Sequence, residues 1–137
     1  MWRRTAGAAA LIAATTMVTA CVPPGVACPA IGFAYTAPVE LEIDPDLVSD
    51  GTVAACLPAG CQPVDVPADG VGRWLLPQEP PYTGEEAIGL EPGNEVRVLI
   101  TDSAGTIVRD GLWEIPYTPT SDGFCPGPVN FHPVEIT

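Results

Sequence analysis

Apolar and polar residues alternate along several short segments of this chain, with a period of two rather than the period of a helix. Val39–Ile43 places three apolar side chains on one face and two glutamates on the other. Glu95–Thr101 repeats the pattern, with three apolar side chains again sharing one face. Such alternation is typical of half-buried β-strands. Both segments are therefore predicted to be strands that contribute to a core.

Five further segments complete the predicted set of strands. Residues 51–56 and 61–66 are predicted to form a hairpin, and residues 73–76 a short apolar strand. Residues 106–115 follow a turn at residues 102–105 and are predicted to continue as one bent strand. Residues 129–136 end the chain, with Pro133 marking an edge strand or a bulge.

About seven strands separated by turn signals favour a single antiparallel β-sandwich, mainly β, over residues 31–137. The 17 prolines and 14 glycines interrupt any long helix. In the number and spacing of its strands, this part of the chain resembles an immunoglobulin-like or fibronectin-III-like module. No specific motif carries the resemblance, and Trp74 does not lie midway between two cysteines as in antibody domains.

The N-terminus has the layout of an export signal. Arg3 and Arg4 precede a weakly apolar run at residues 6–18, and residues 18–21 read Val-Thr-Ala-Cys. This tetrapeptide resembles a bacterial lipobox, and the whole chain resembles the small lipoproteins that GC-rich bacteria export. The resemblance implies a signal peptide at residues 1–20, a diacylglyceryl group on Cys21 and a protein anchored outside the cytoplasm to the cell membrane. The alternative is a plain secretory signal that a cysteine happens to follow.

Residues 21–30 are rich in proline and carry no charge. They are predicted to be a short tether that lifts the domain off the membrane and ends where Cys28 is fixed to it. The domain itself then begins at residue 31.

Four cysteines follow Cys21, an even number that indicates two disulfides in an exported chain. Four cysteines can form two disulfides in three different ways. The spacing favours Cys56 with Cys61, because four intervening residues can fold back, and hence Cys28 with Cys125. A zinc site is disfavoured, since one Cys-x4-Cys and two distant cysteines lack the usual paired clusters.

Charge limits the classes of partner. Beyond the signal peptide the chain carries three arginines and no lysine against all 17 acidic residues. A polyphosphate backbone would be repelled by such a surface, so nucleic-acid binding is excluded. The scattered acidic residues favour a solvated surface rather than an acidic tail.

The residues that could carry chemistry favour structural roles. His132 is the only histidine and is predicted to face solvent opposite Phe131, so no triad is expected. Neighbouring carboxylates in one loop rarely flank a glycosidic bond, which argues against a glycosidase pair. Asp44, Asp46 and Asp50 are a weaker alternative as calcium ligands between loops. We therefore predict no catalytic residue, no metal and no cofactor.

Aromatic residues divide into two groups. Trp74 and Trp113 lie beside apolar residues and are predicted to pack in the core. Three others lie in proline-rich loops and are candidates for an exposed aromatic surface: Tyr82, Tyr117 and Phe124.

The long connection at residues 77–94 is the predicted partner-binding face, because connections beyond about 12–15 residues are usually functional or mobile. Tyr82, Glu85 and Glu86 are its candidate contacts, although a merely tolerated surface loop fits the pattern equally well. The hypothesis is a non-catalytic envelope lipoprotein that binds a protein or a glycan. The alternative is a small extracytoplasmic hydrolase or carbohydrate-active enzyme, which would need acidic residues and His132 to converge on a pocket. No such convergence is expected.

Overall fold

The computed structural model describes residues 27–28, 30–58, 61–85, 89–121 and 123–137. The predicted signal peptide at residues 1–20, the predicted lipidation site Cys21 and the candidate contact Glu86 lie outside these residues. Within them the chain is mainly β, as the alternating pattern predicts.

Ten strands and one short helix occur within the described ranges. In chain order they are β1 Val39–Ile43, α1 Pro45–Val48, β2 Thr52–Cys56, β3 Val64–Asp65, β4 Ala68–Gly70, β5 Arg73–Leu76, β6 Glu95–Thr101, β7 Ile107–Glu114, β8 Tyr117–Pro119, β9 Val129–Phe131 and β10 Val134–Ile136. The prediction of about seven strands is too low because five of the ten have only two or three residues, too few to show alternation.

The described strands form two four-stranded sheets and one hairpin. One sheet has the order β10-β1-β5-β4, the other has the order β3-β2-β6-β7, and β8 pairs with β9 alone. The predicted hairpin of β2 with β3 is present, and β7 runs unbroken as the one predicted strand.

One pairing corrects the expectation of a purely antiparallel fold. β10 lies parallel to β1, with Leu41 opposite Val134 and Ile43 opposite Ile136. The last predicted strand is divided in two at residues 132–133, where Pro133 supplies no amide hydrogen for a ladder. The chain therefore leaves the β8–β9 hairpin and continues along β1, in the same direction as the first strand.

Apolar side chains from both four-stranded sheets form a single buried cluster. Leu41 and Leu76 contribute from one sheet, and Val98 and Ile100 from the other, all fully buried. Trp74 belongs to this core, as predicted, while Trp113 packs against it from a half-buried position. The alternating apolar residues of β1 and β6 are thus buried in the core, as their pattern predicts.

The structure favours glycine at two positions for identifiable reasons. A Cβ at Gly51 would lie 1.8 Å from the carbonyl oxygen of Thr101, so only glycine fits this approach of β2 to β6. Gly105 has φ of 80° in the predicted turn before β7, a conformation that glycine adopts without steric cost.

Candidate binding groove

A cavity of about 660 Å³ opens between the segment before β1 and strand β9. Its volume lies within the range of about 300–1,000 Å³ that is usual for ligand pockets. Buried Val39, Leu90 and Ile115 contribute apolar side chains to its wall. Its polar and aromatic lining includes Tyr35, Thr36, Glu40, Gln78, Phe131 and His132. We call this cavity the Tyr35 groove.

Tyr35 fixes one wall of the groove through three contacts. Its hydroxyl oxygen accepts a hydrogen bond from the backbone N–H of Val129 at 2.6 Å. Its carbonyl oxygen accepts one from the N–H of Leu90 at 3.2 Å. The ring meets Phe131 edge to face, with the centroids 5.0 Å apart, a favourable geometry for aromatic pairs. One residue thereby joins the N-terminal segment, the loop at residues 77–94 and β9.

A second residue of the 77–94 loop also holds the N-terminal segment. The side-chain amide of Gln78 donates a hydrogen bond to the carbonyl oxygen of Ala37. Because Gln78 and Leu90 both line the groove, the loop that the sequence favours as a binding face contributes to this cavity through residues other than those predicted.

The backbone of β9 presents one edge to the groove. The backbone N–H of His132 donates to the carbonyl of Pro116, and the backbone N–H of Thr120 donates to the carbonyl of Pro128. These residues therefore form hydrogen-bonded pairs of the β8–β9 ladder. In an antiparallel ladder hydrogen-bonded and non-hydrogen-bonded pairs alternate. The backbone groups of Val129 and Phe131 therefore point away from β8, where the Val129 N–H meets Tyr35. Among the described residues, the N–H and C=O of Phe131 have no backbone partner on this side.

Glu40 and His132 line the same groove, but no hydrogen bond or ion pair joins their side chains. The parallel placement of β10 beside β1 brings the two segments together, and the strand pattern alone does not show it. Each side chain already has a partner: Glu40 lies 3.6 Å from the Arg73 guanidinium, and Nε2 of His132 lies 2.9 Å from Oγ1 of Thr118. His132 is exposed, as predicted.

Tyr82, the central candidate of the sequence, is half-buried and packs against the core. Its hydroxyl donates to the carbonyl of Asp65 at 3.1 Å, and its own carbonyl accepts from the N–H of Leu57 at 2.8 Å. The residue thus anchors the loop to β3 and to the end of β2. Glu85 is exposed on the same loop.

The candidate calcium ligands lie around α1. The side chain of Asp44 accepts a hydrogen bond from the N–H of Asp46 at 2.9 Å and caps the helix, whose first residue is Pro45. Within the described ranges, no group of three or more histidine, cysteine or acidic side chains is close enough to hold a metal ion.

Two disulfides join the four described cysteines in the predicted pairing. Cys28 is bonded to Cys125 with their Cα atoms 5.2 Å apart, and Cys56 to Cys61 with theirs 6.0 Å apart. The first bond fixes the segment that leads from Cys21 beside the loop before β9. No helix in the described part of the chain is both long and apolar enough to cross a membrane.

Two of the three arginines in the described part of the chain, Arg73 and Arg97, form ion pairs. Arg97 donates to both carboxylate oxygens of Asp110, at 3.2 and 3.1 Å, and this hydrogen-bonded carboxylate raises the pKa of Arg97. Arg73 contacts Asp69 and Glu40. Among the described acidic residues, only Glu40, Asp69 and Asp110 form ion pairs, and none is buried.

The sequence interpretation missed the groove because its walls are distant in sequence. Tyr35 and Glu40 belong to one wall, and Phe131 and His132 to the other. The predicted disulfide between Cys28 and Cys125 was the available signal, because it implies that residues 30–38 pass close to residues 126–133.

The chain matches no protein family model, no curated protein and no solved structure. Its own residues therefore have to carry any functional proposal.

Proposed function

We propose that this protein is a non-catalytic lipoprotein of the bacterial cell envelope, anchored through Cys21, that binds an extended segment of a partner protein in the Tyr35 groove. The observation that carries the binding site is the edge of β9, whose Phe131 backbone groups face an open cavity with an apolar wall. An extended peptide can add to such an edge as a further strand.

Charge favours a basic segment as the occupant. Glu40 lines the groove, and the chain as a whole carries a strongly negative net charge. Complementary charge mainly raises the rate of association and the selectivity for a partner. Peptide binding is favoured over glycan binding because the N–H and C=O of Phe131 can pair with the backbone of an extended peptide.

The two disulfides and the lipobox-like residues 18–21 support export and anchoring. Disulfides persist in oxidising compartments outside the cytoplasm. Burial of acyl chains contributes about 0.8 kcal/mol per CH₂, and more than one chain is needed for stable attachment, which a diacylglyceryl group would supply.

As part of the same proposal, the two four-stranded sheets face each other as an immunoglobulin-like β-sandwich. The support is the single buried cluster that draws on both sheets. Sandwiches of this kind carry binding sites on loops and edges while the core stays constant.

The anchor is tested by replacing Cys21 with alanine. We expect the unchanged protein to enter the detergent phase on extraction and to show an acylated N-terminal cysteine by mass spectrometry. Cys21→Ala should stay in the aqueous phase, because no acyl chain is attached. An aqueous protein with an unmodified N-terminus would contradict the anchor.

The groove is tested by filling it. Thr36 is exposed and lines the cavity, so Thr36→Trp should block an incoming peptide without removing a core contact. Thr106→Trp, exposed in the turn before β7, is the matched control. We expect photo-crosslinking in intact cells to yield the same partner with the unchanged protein and the control, and to lose it with Thr36→Trp.

Circular dichroism and thermal unfolding of both variants verify that the fold is kept. If Thr36→Trp is folded and still crosslinks the partner at the level of the control, the groove is not the binding site.

A further inference from the structure

The acidic residues of the chain are unevenly distributed. Residues 22–39 contain no charged side chain. Residues 115–134 contain one acidic residue, Asp122, and their other titratable side chains are those of Tyr117, Cys125 and His132. Every other acidic residue lies in the rest of the sequence. The charge-poor regions are far apart along the chain, at its beginning and near its end.

The fold brings these two regions together. Cys28 is bonded to Cys125, and the Tyr35 hydroxyl meets the N–H of Val129. We define the uncharged pole as residues 27–28, 30–38 and 123–128, which contain no charged residue. Asp122 immediately precedes its second part.

Apolar side chains project from the uncharged pole into solvent. Phe124 is 97% exposed, Ile31 is 62% exposed and Phe33 is 40% exposed. Two of the three are aromatic, and all three lie within a few residues of the Cys28–Cys125 bond. Exposed apolar side chains that share one part of a surface mark an interaction site, and these three belong to the two segments that the disulfide joins.

The anchor limits how far the pole can be from the membrane. Cys28 lies seven positions after Cys21, and even a fully extended chain over that distance spans only about 25 Å. Anionic lipid headgroups repel acidic side chains near the surface. A molecule held this close is therefore most stable with its uncharged end towards the lipid and its acidic surface turned away.

We propose that the uncharged pole docks on the phospholipid bilayer, with Phe124 inserted at the boundary between headgroups and acyl chains. The proposal rests on the lipid anchor of the proposed function. In it, residues 22–26 are a short link that holds the pole against the bilayer, rather than part of a tether that lifts the domain off the membrane. Aromatic and aliphatic side chains on such a surface gain free energy when they enter this boundary region. Residues 34–38 belong to the pole and also line the Tyr35 groove, so a bound partner would lie near the membrane surface.

Tryptophan fluorescence tests the docking. The mature chain, beginning at Cys21, has one thiol outside the two disulfides, and this thiol can be coupled to a maleimide phospholipid in vesicles of phosphatidylcholine with and without phosphatidylglycerol. Phe124→Trp then reports on the pole. Val71→Trp is the matched control, since Val71 is equally exposed at 93% but lies beside Glu42, Asp44 and Glu135 in a different part of the surface.

We expect the emission of Phe124→Trp to shift to shorter wavelength on coupling to vesicles and to be quenched by brominated acyl chains. Val71→Trp should show neither change. Trp74 and Trp113 are common to both proteins, so they cancel in the comparison.

Equal quenching of the two variants, or none in either, would overturn the docking. A blue shift of Phe124→Trp that depends on protein concentration and occurs without bromolipid quenching would also overturn it, because a second copy would then cover the pole. Chemical coupling supplies the tether in every case, so the result is independent of whether Cys21 is acylated in the cell, which mass spectrometry decides separately.

Discussion

Replacement of Cys28 and Cys125 together by alanine is expected to lower the free energy of unfolding by about 4–5 kcal/mol. The two residues are 97 positions apart in sequence. A cross-link that closes a loop of roughly 100 residues removes about 4.7 kcal/mol of chain entropy from the unfolded state in the loop-closure model. Cys28 is exposed and Cys125 half-buried, so little packing is lost with the sulfurs and the effect is nearly all that of the cross-link.

The second disulfide is the matched control. Cys56 and Cys61 are only five positions apart, for which the same model gives about 2 kcal/mol. Cys56 is fully buried, so Cys56→Ala also leaves a small cavity and the measured loss is an upper limit for the cross-link. Urea unfolding of both double variants makes the comparison, and a larger loss in the Cys56→Ala/Cys61→Ala protein would contradict the ranking.

The strands of the core were the most predictable part of the fold. Val39–Ile43 and Glu95–Thr101 alternate without interruption, and each places its apolar residues in the buried cluster. In these segments local pattern and tertiary burial agree, because each strand buries one face only. The disulfides were predictable for a different reason: four cysteines permit few pairings, and one pair is close in sequence.

The parallel pairing of β1 with β10 could not be obtained from the pattern. Alternation shows which face of a strand is buried but not which neighbour it pairs with, and Val134–Ile136 has only three residues. The Tyr35 groove depends on that pairing, since it brings Phe131 and His132 beside the segment before β1. The sequence therefore did not indicate the groove, because it did not show that β10 pairs with β1.

Tyr82 illustrates a second kind of limit. A tyrosine in a proline-rich loop has the composition of a binding contact, yet the same ring can bury its face and satisfy its hydroxyl within the fold. The hydrogen bond to Asp65 shows the second outcome. Sequence alone does not distinguish the two, because the partner of the hydroxyl is a backbone carbonyl, which every residue has.

Leu41→Ala is expected to destabilise the protein by about 3–5 kcal/mol, the upper part of the range for a buried leucine reduced to alanine. Leu41 is fully buried at the centre of β1, which pairs with β5 on one side and β10 on the other. Two neighbouring strands fix the backbone, so the surrounding side chains have little freedom to close the cavity. The total stability of a small domain is about 5–15 kcal/mol, and the variant would lose a large part of it.

Leu112→Ala is the matched control for this substitution. Leu112 lies on β7, at the edge of the other sheet, and is 50% exposed, so its truncation should cost about 1 kcal/mol or less. Urea unfolding followed by circular dichroism gives both values, with the slope against denaturant confirming that the two variants unfold over the same surface area. Equal losses in the two proteins would show that β1 is not the central strand of a shared core, because a buried and a half-exposed leucine would then contribute alike.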